Sequence, residues 1–94
     1  MERPPENIDG AKVWYYVISD HVPFGYINSF DGSSSIAIHK VCICQYQGSD
    51  KYCIFFCYKN WKVIKVIETD YLESALHFSS KQFAMSLKDW IKYE

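Results

Sequence analysis

An excess of charge of either sign is missing from this chain. Ten lysines and arginines stand against 11 aspartates and glutamates, a formal net charge of −1 over 94 residues. A domain that holds nucleic acid through its overall field is usually basic, so bulk charge argues against that class. A local basic stretch remains, because Lys59, Lys62 and Lys65 crowd together. Long apolar runs are missing too. None approaches the ~18 residues of a membrane span, and no membrane association is expected. The opening MERPPENIDG is polar and has no apolar segment of the signal-peptide kind. A cytoplasmic location is therefore expected.

Glycine and proline are scarce, at 4 and 3. Four isolated glycines cannot form a phosphate-cradling loop. There is no internal repeat and no low-complexity tract. Catalytic groupings are equally sparse. His21, His39 and His77 are scattered, with no Ser, Cys or Asp at a spacing that suggests a triad. The carboxylates are mostly single, and no two are arranged for acid–base work. Asp50, Glu68 and Asp70 cluster at one end of a strand pair, where caps and salt pairs explain them. No cofactor and no enzymatic activity are expected.

What the chain has in quantity is aromatic and β-branched residues. Nearly half of it is apolar (49%) and 18% is aromatic, which excludes a disordered polymer. One domain over 12–94 is expected, behind a flexible tail over 1–11 that contains Pro4-Pro5 and a turn signal at Asp9-Gly10. Lys12–Ser19 (KVWYYVIS) reads as a strand. Phe24–Phe30 is a weaker one, at an edge or bulged at Gly25. Ile36–Gln47 is long for a strand and is expected to bend or bulge. Tyr52–Tyr58 and Trp61–Glu68 complete a meander.

A two-residue turn at Lys59-Asn60 sets Ile54 opposite Lys65 and Lys51 opposite Glu68. An even loop around Gly48-Ser49 puts Cys42, Cys44, Cys53 and Cys57 on one face with Phe55, Ile64 and Val66. Tyr52, Ile54, Phe56, Tyr58, Trp61, Val63 and Ile67 then share the other. Beyond a capping pair Asp70-x-x-Glu73, apolar positions from Leu72 to Ile91 follow a helical stripe. That stretch is either one helix of about six turns or two short helices broken near Ser79-Ser80. The fold class is α+β: an antiparallel sheet of about five strands in meander order, with one C-terminal helix packed on one face.

Small cysteine side chains suit the close approach of a helix, so the helix is expected on that face. The thiols read as buried, reduced and structural. Mid-strand positions do not suit zinc, which is usually presented by turns. The aromatic face is then either closed by the first two strands or left open for a partner. The leading expectation is a small non-enzymatic protein-interaction module of the adaptor, inhibitor or immunity kind. It would bind a protein partner or a second copy of itself through Tyr52, Tyr58, Trp61, Lys65 and His39. The alternative is a sheet that stacks single-stranded nucleic acid on its aromatics, flanked by Lys62 and Lys65. A third possibility is a small-ligand pocket between helix and sheet, near His39, His77 or the cysteines.

Overall fold

The computed structural model describes residues 3–19, 22–28, 32–82 and 89–93. Its elements are β1 (Asn7–Ile8), β2 (Ala11–Ile18), β3 (Gly25–Asn28), β4 (Ser35–Ile38), β5 (Lys40–Tyr46), β6 (Tyr52–Cys57), β7 (Val63–Thr69), α1 (Leu72–Gln82) and β8 (Ile91–Lys92). The main sheet runs β1-β2-β5-β6-β7, every pair antiparallel, with β8 added beside β2. β3 and β4 form a separate hairpin. Among the described residues, the fold is a curled antiparallel sheet carrying one short helix.

The two central strands explain why the sheet is the core. Val41–Cys44 of β5 and Cys53–Cys57 of β6 are buried on both faces, and their sequences are apolar without a polar alternate. β5 and β6 pair in the register expected from an even loop, with Cys44 opposite Cys53 and Cys42 opposite Phe55. All four cysteines therefore share a face with Phe55, as the spacing predicts. The long strand expected over 36–47 is interrupted at His39, which separates β4 from β5.

The β6–β7 turn differs from expectation, and the difference propagates. Trp61 N–H donates to the Tyr58 carbonyl (3.1 Å) and Tyr58 N–H to the Lys62 carbonyl (2.9 Å). This is a three-residue loop whose last member, Trp61, takes a left-handed φ of 64°. Asn60 was expected in that role; its Oδ1 instead accepts from the Lys62 N–H at 3.2 Å. A bulge follows between Phe56 and Cys57, so Cys57 faces Val63, Phe56 faces Lys65 and Ile54 faces Ile67. The register is two residues from the one expected, which preserves the faces of Ile54 and Ile67. Trp61 and Val63 move to the cysteine side, and Ile64 packs on the other. Lys51 still pairs with Glu68 (3.9 Å), now as a diagonal neighbour, and lies closer to Asp70 (3.3 Å).

The helix takes the face opposite to the one expected. Leu72, Ala75 and Leu76, at i, i+3 and i+4, form one stripe. It packs with Ile43, Ile54 and Phe56, where Phe24, Ile27 and Ile38 of the β3–β4 segment join it. Two large apolar side chains of β6, Ile54 and Phe56, sit fully buried there. They need a thick cover, which leucines and a hairpin supply. The helix, described over Leu72–Gln82, also passes through Ser79-Ser80 without a break. The chain returns as β8, so the stripe does not continue helically to Ile91. The positions expected at Phe83, Ala84 and Leu87 lie outside the described residues.

The cysteine side is closed by other means. Asp9 and Gly10 both have positive φ, 50° and 85°, the signature of a tight two-residue hairpin turn. They fold β1 back on β2, with Ile8 opposite Ala11. The segment expected as a tail thus contributes the buried Pro4 and Ile8. Tyr16 of β2 meets Trp61 edge-on at 6.3 Å and Tyr93 at 6.1 Å. Tyr16 lies on β2 and Trp61 in the turn that leaves β6, with β5 between their strands, so this contact marks the curl of the sheet over the thiols.

Candidate interaction cleft

The five residues singled out from the sequence do not form one surface. Tyr52 is half-buried against the helix-covered core. It stands at the opposite end of β6 from Tyr58, a separation of roughly 17–20 Å along the strand. Its neighbourhood is a charged depression of about 620 Å³ with Asp50, Lys51, Asp70, Tyr71 and Glu73. The ammonium of Lys51, held by Asp70 and Glu68, has its pKa raised.

Trp61 packs on the cysteine side. Lys40 lies over its ring at 5.0 Å and donates to the Lys59 carbonyl. Lys65 is exposed on the β7 edge, opposite Phe56. His39 is buried, with Nδ1 2.8 Å from the Ser19 carbonyl, and its ring meets Tyr58 edge-on at 6.5 Å. Of the five, only His39 and Tyr58 are brought together. The broad aromatic face is absent because α1 and the β3–β4 hairpin cover it. The cover is not the first two strands as expected: the one over 12–19 is β2 of the main sheet, and only the second contributes, as β3.

A smaller cleft remains beside Tyr58. It measures about 420 Å³ and lies between the β3–β4 hairpin and the β6–β7 turn, lined by Tyr26, Ile36, Ala37, Tyr58, Lys62 and Ile64. The two tyrosines are 66% and 40% exposed, whereas Ile36, Ala37 and Ile64 are half-buried. Aromatic walls thus stand over an apolar floor, with one ammonium at the rim.

Local chemistry explains these positions. Alternation along β3 turns Ile27 into the core and leaves Tyr26 and Asn28 outward. The bulge in β7 redirects Ile64 away from the cysteines. Tyr26 and Ile64 were not singled out from the sequence. The alternation of Phe24-Gly25-Tyr26-Ile27-Asn28 carries the signal for Tyr26, but the bulge leaves none for Ile64. Lys59, Lys62 and Lys65 are all exposed. Among the described residues, none has a carboxylate within 4.0 Å.

The thiols form a second cluster of chemical groups. All four are free and buried, with Cys44 Sγ 3.6 Å from Cys42 Sγ. Hydrogen bonding with Cys44 and Cys57, then burial, raises the Cys42 pKa well above the ordinary thiol range. Burial, with Glu68 nearby, raises that of Cys53. Among the described residues, no group of three or more His, Cys, Asp or Glu could hold a metal ion.

A thiol whose folded pKa exceeds its unfolded value stays protonated in the native state while the unfolded chain ionises. Its contribution to stability is complete below the unfolded thiol pKa and is lost as pH rises through the folded value. Denaturation midpoints should therefore fall as pH is taken above the ordinary cysteine range, about 8.5. A disulfide-exchange reagent at neutral pH should label the four thiols only as fast as the protein opens. Rapid labelling of two or more without unfolding would contradict this packing.

Comparison of the chain with protein-family models, with curated proteins and with solved structures finds no match.

Proposed function

We propose that this chain is a small non-enzymatic protein-interaction module whose contact surface is the cleft at Tyr26 and Tyr58. The observation that carries the reading is that two exposed tyrosines, Tyr26 and Tyr58, line one cleft with the half-buried Ile36, Ala37 and Ile64. Tyrosine suits a contact surface that is wet when free. Its ring buries a large area at low entropy cost and its hydroxyl tolerates a wet rim, so such residues dominate interface energetics. Either a different protein or a second copy of the chain satisfies that chemistry, in a cytoplasmic setting where the thiols stay reduced.

Tyr26→Ala and Tyr58→Ala test the reading. Both side chains are largely outside the core, so each variant should melt within a few degrees of the parent. Each should lose self-association, measured as mass in solution, or capture of a partner from lysate of the source cell. If both variants keep assembly and capture, the reading fails.

Lys59, Lys62 and Lys65, which have no carboxylate partner among the described residues, favour one second reading, a single-stranded nucleic-acid platform. Oligonucleotide affinity would then fall steeply with salt. Undetectable binding at low salt would eliminate it.

A further inference from the structure

The cleft has a backbone side as well as aromatic walls. Ser35, Ile36 and Ala37, three successive residues of β4, all border it. Side chains of a strand alternate between faces, so a cleft that meets three in a row approaches the strand along its edge. β4 pairs with β3 and with no other strand among the described residues. Its second edge offers N–H and C=O groups to an incoming strand. Exposed edges of this kind are templates for strand addition. The opposite rim carries Lys62, with Lys59 and Lys65 close by in sequence. None of these has an acidic partner among the described residues.

We infer that the cleft receives an extended, acidic segment of another polypeptide, which adds as a strand along β4. Tyr26 and Tyr58 flank it, and Lys62 at the rim meets its carboxylates. The inference rests on the interaction reading above and specifies the partner's chemistry. Main-chain hydrogen bonds supply the affinity in strand addition, and side-chain pockets and charge supply the choice. A strand edge has nothing to pair with on a nucleic acid, and the net charge of −1 gives no broad field for one. An acidic peptide accounts for the edge, the tyrosines and the lysines together.

The probe is a fluorescein-labelled ten-residue peptide that alternates glutamate and valine, titrated against the whole chain by anisotropy. Its companions have lysine for glutamate, or N-methyl groups on the odd or the even amides; a ten-nucleotide poly-dT is the last. The glutamate peptide should bind about tenfold or more tighter than the lysine peptide. One N-methylated isomer should lose about tenfold and the other little, because an added strand uses every second N–H. Lys62→Glu should narrow or invert the preference between the glutamate and lysine peptides.

Equal binding of the glutamate and lysine peptides, or equal tolerance of both N-methylated isomers, would overturn the inference. Tighter binding of poly-dT would overturn it in favour of the nucleic-acid reading. If no peptide binds while Tyr26→Ala and Tyr58→Ala still abolish assembly, the acidic strand is wrong and the interaction reading survives. If both tyrosine variants bind the glutamate peptide like the parent, the cleft is not the site and both readings fall.

Discussion

Phe56→Ala should lower the stability of this chain by about 3–5 kcal/mol, the range for deleting a fully buried phenylalanine. Phe56 is 1% exposed, in the cluster that joins Ala75 of α1, Ile38 and the sheet strands β2, β5 and β6. Its removal opens a cavity bordered by rigid strands, which cannot collapse as a helix–helix contact could. A domain of this size holds only about 5–15 kcal/mol in total, so the variant sits close to global unfolding. The melting temperature should drop by more than about 12 °C. The urea midpoint should fall with the slope unchanged.

Phe56→Leu, which keeps most of the volume, should recover most of the loss. Tyr71→Ala is the matching control: Tyr71 is 71% exposed, and its removal should change stability by no more than about 0.5 kcal/mol. If Phe56→Ala melts like the parent, the helix-covered side is not the packed core described here.

Much of the sheet was legible in the sequence because its central strands obey two simple rules. β-Branched and aromatic residues mark β2, β5, β6 and β7, and the side-chain period of two puts Cys42, Cys44, Cys53 and Cys57 on one face. The even loop between β5 and β6 fixes that sorting, and the register follows. Legibility ends where backbone conformation outranks residue type. Asn is the usual left-handed residue of a short turn, yet Trp61 takes the positive φ. Trp61 is held there by burial against Tyr16 and by Lys40 over its ring. Tertiary packing chose the turn, and no local signal announces that. The shift took Trp61 out of the expected site and put Ile64 into the cleft.

The N-terminal segment departs from the expected tail for a different reason. Asp9-Gly10 reads as a turn, but a hairpin needs two strands, and Asn7-Ile8 is too short to register as one. The candidate site was legible only in part. Tyr58 and His39 lie together because the β5–β6 register is right. Tyr52 and Trp61 lie elsewhere because the sheet curls, Trp61 packs on the cysteine side and Tyr52 against the helix-covered core. What stayed invisible was the cover itself: β3 and β4 leave the sheet as a separate hairpin, and only that departure creates a cleft.

The choice of face by the helix yields the second large effect. Ala75 is fully buried at the contact between α1 and the sheet, whereas its neighbour Ser74 is exposed. Successive helical residues point about 100° apart, so two adjacent substitutions sample opposite environments at nearly constant helix propensity. Ala75→Glu drives a carboxylate into the apolar cluster of Ile43, Ile54 and Phe56. The group must be desolvated or protonated, or the helix must lift away. Each route costs several kcal/mol.

The expected result is a chain largely unfolded at neutral pH. It should partly recover stability as pH falls through the carboxylate range, because the buried acid is tolerated only when neutral. Ser74→Glu should be within about 0.5 kcal/mol of the parent and show no such pH response. Circular dichroism at 222 nm and urea titration at pH 7 and pH 4 separate the two. Equal, small effects from both substitutions would place the helix on another face. A large effect from Ser74→Glu alone would mean that α1 packs on the sheet through a different side of the helix. The outcome bears on function, since the helix and the β3–β4 hairpin share that cluster. A helix that lifts from Ile54 and Phe56 removes the floor against which Phe24 and Ile27 hold the hairpin. The walls of the Tyr26–Tyr58 cleft should then separate, and binding at the cleft should be lost together with the fold.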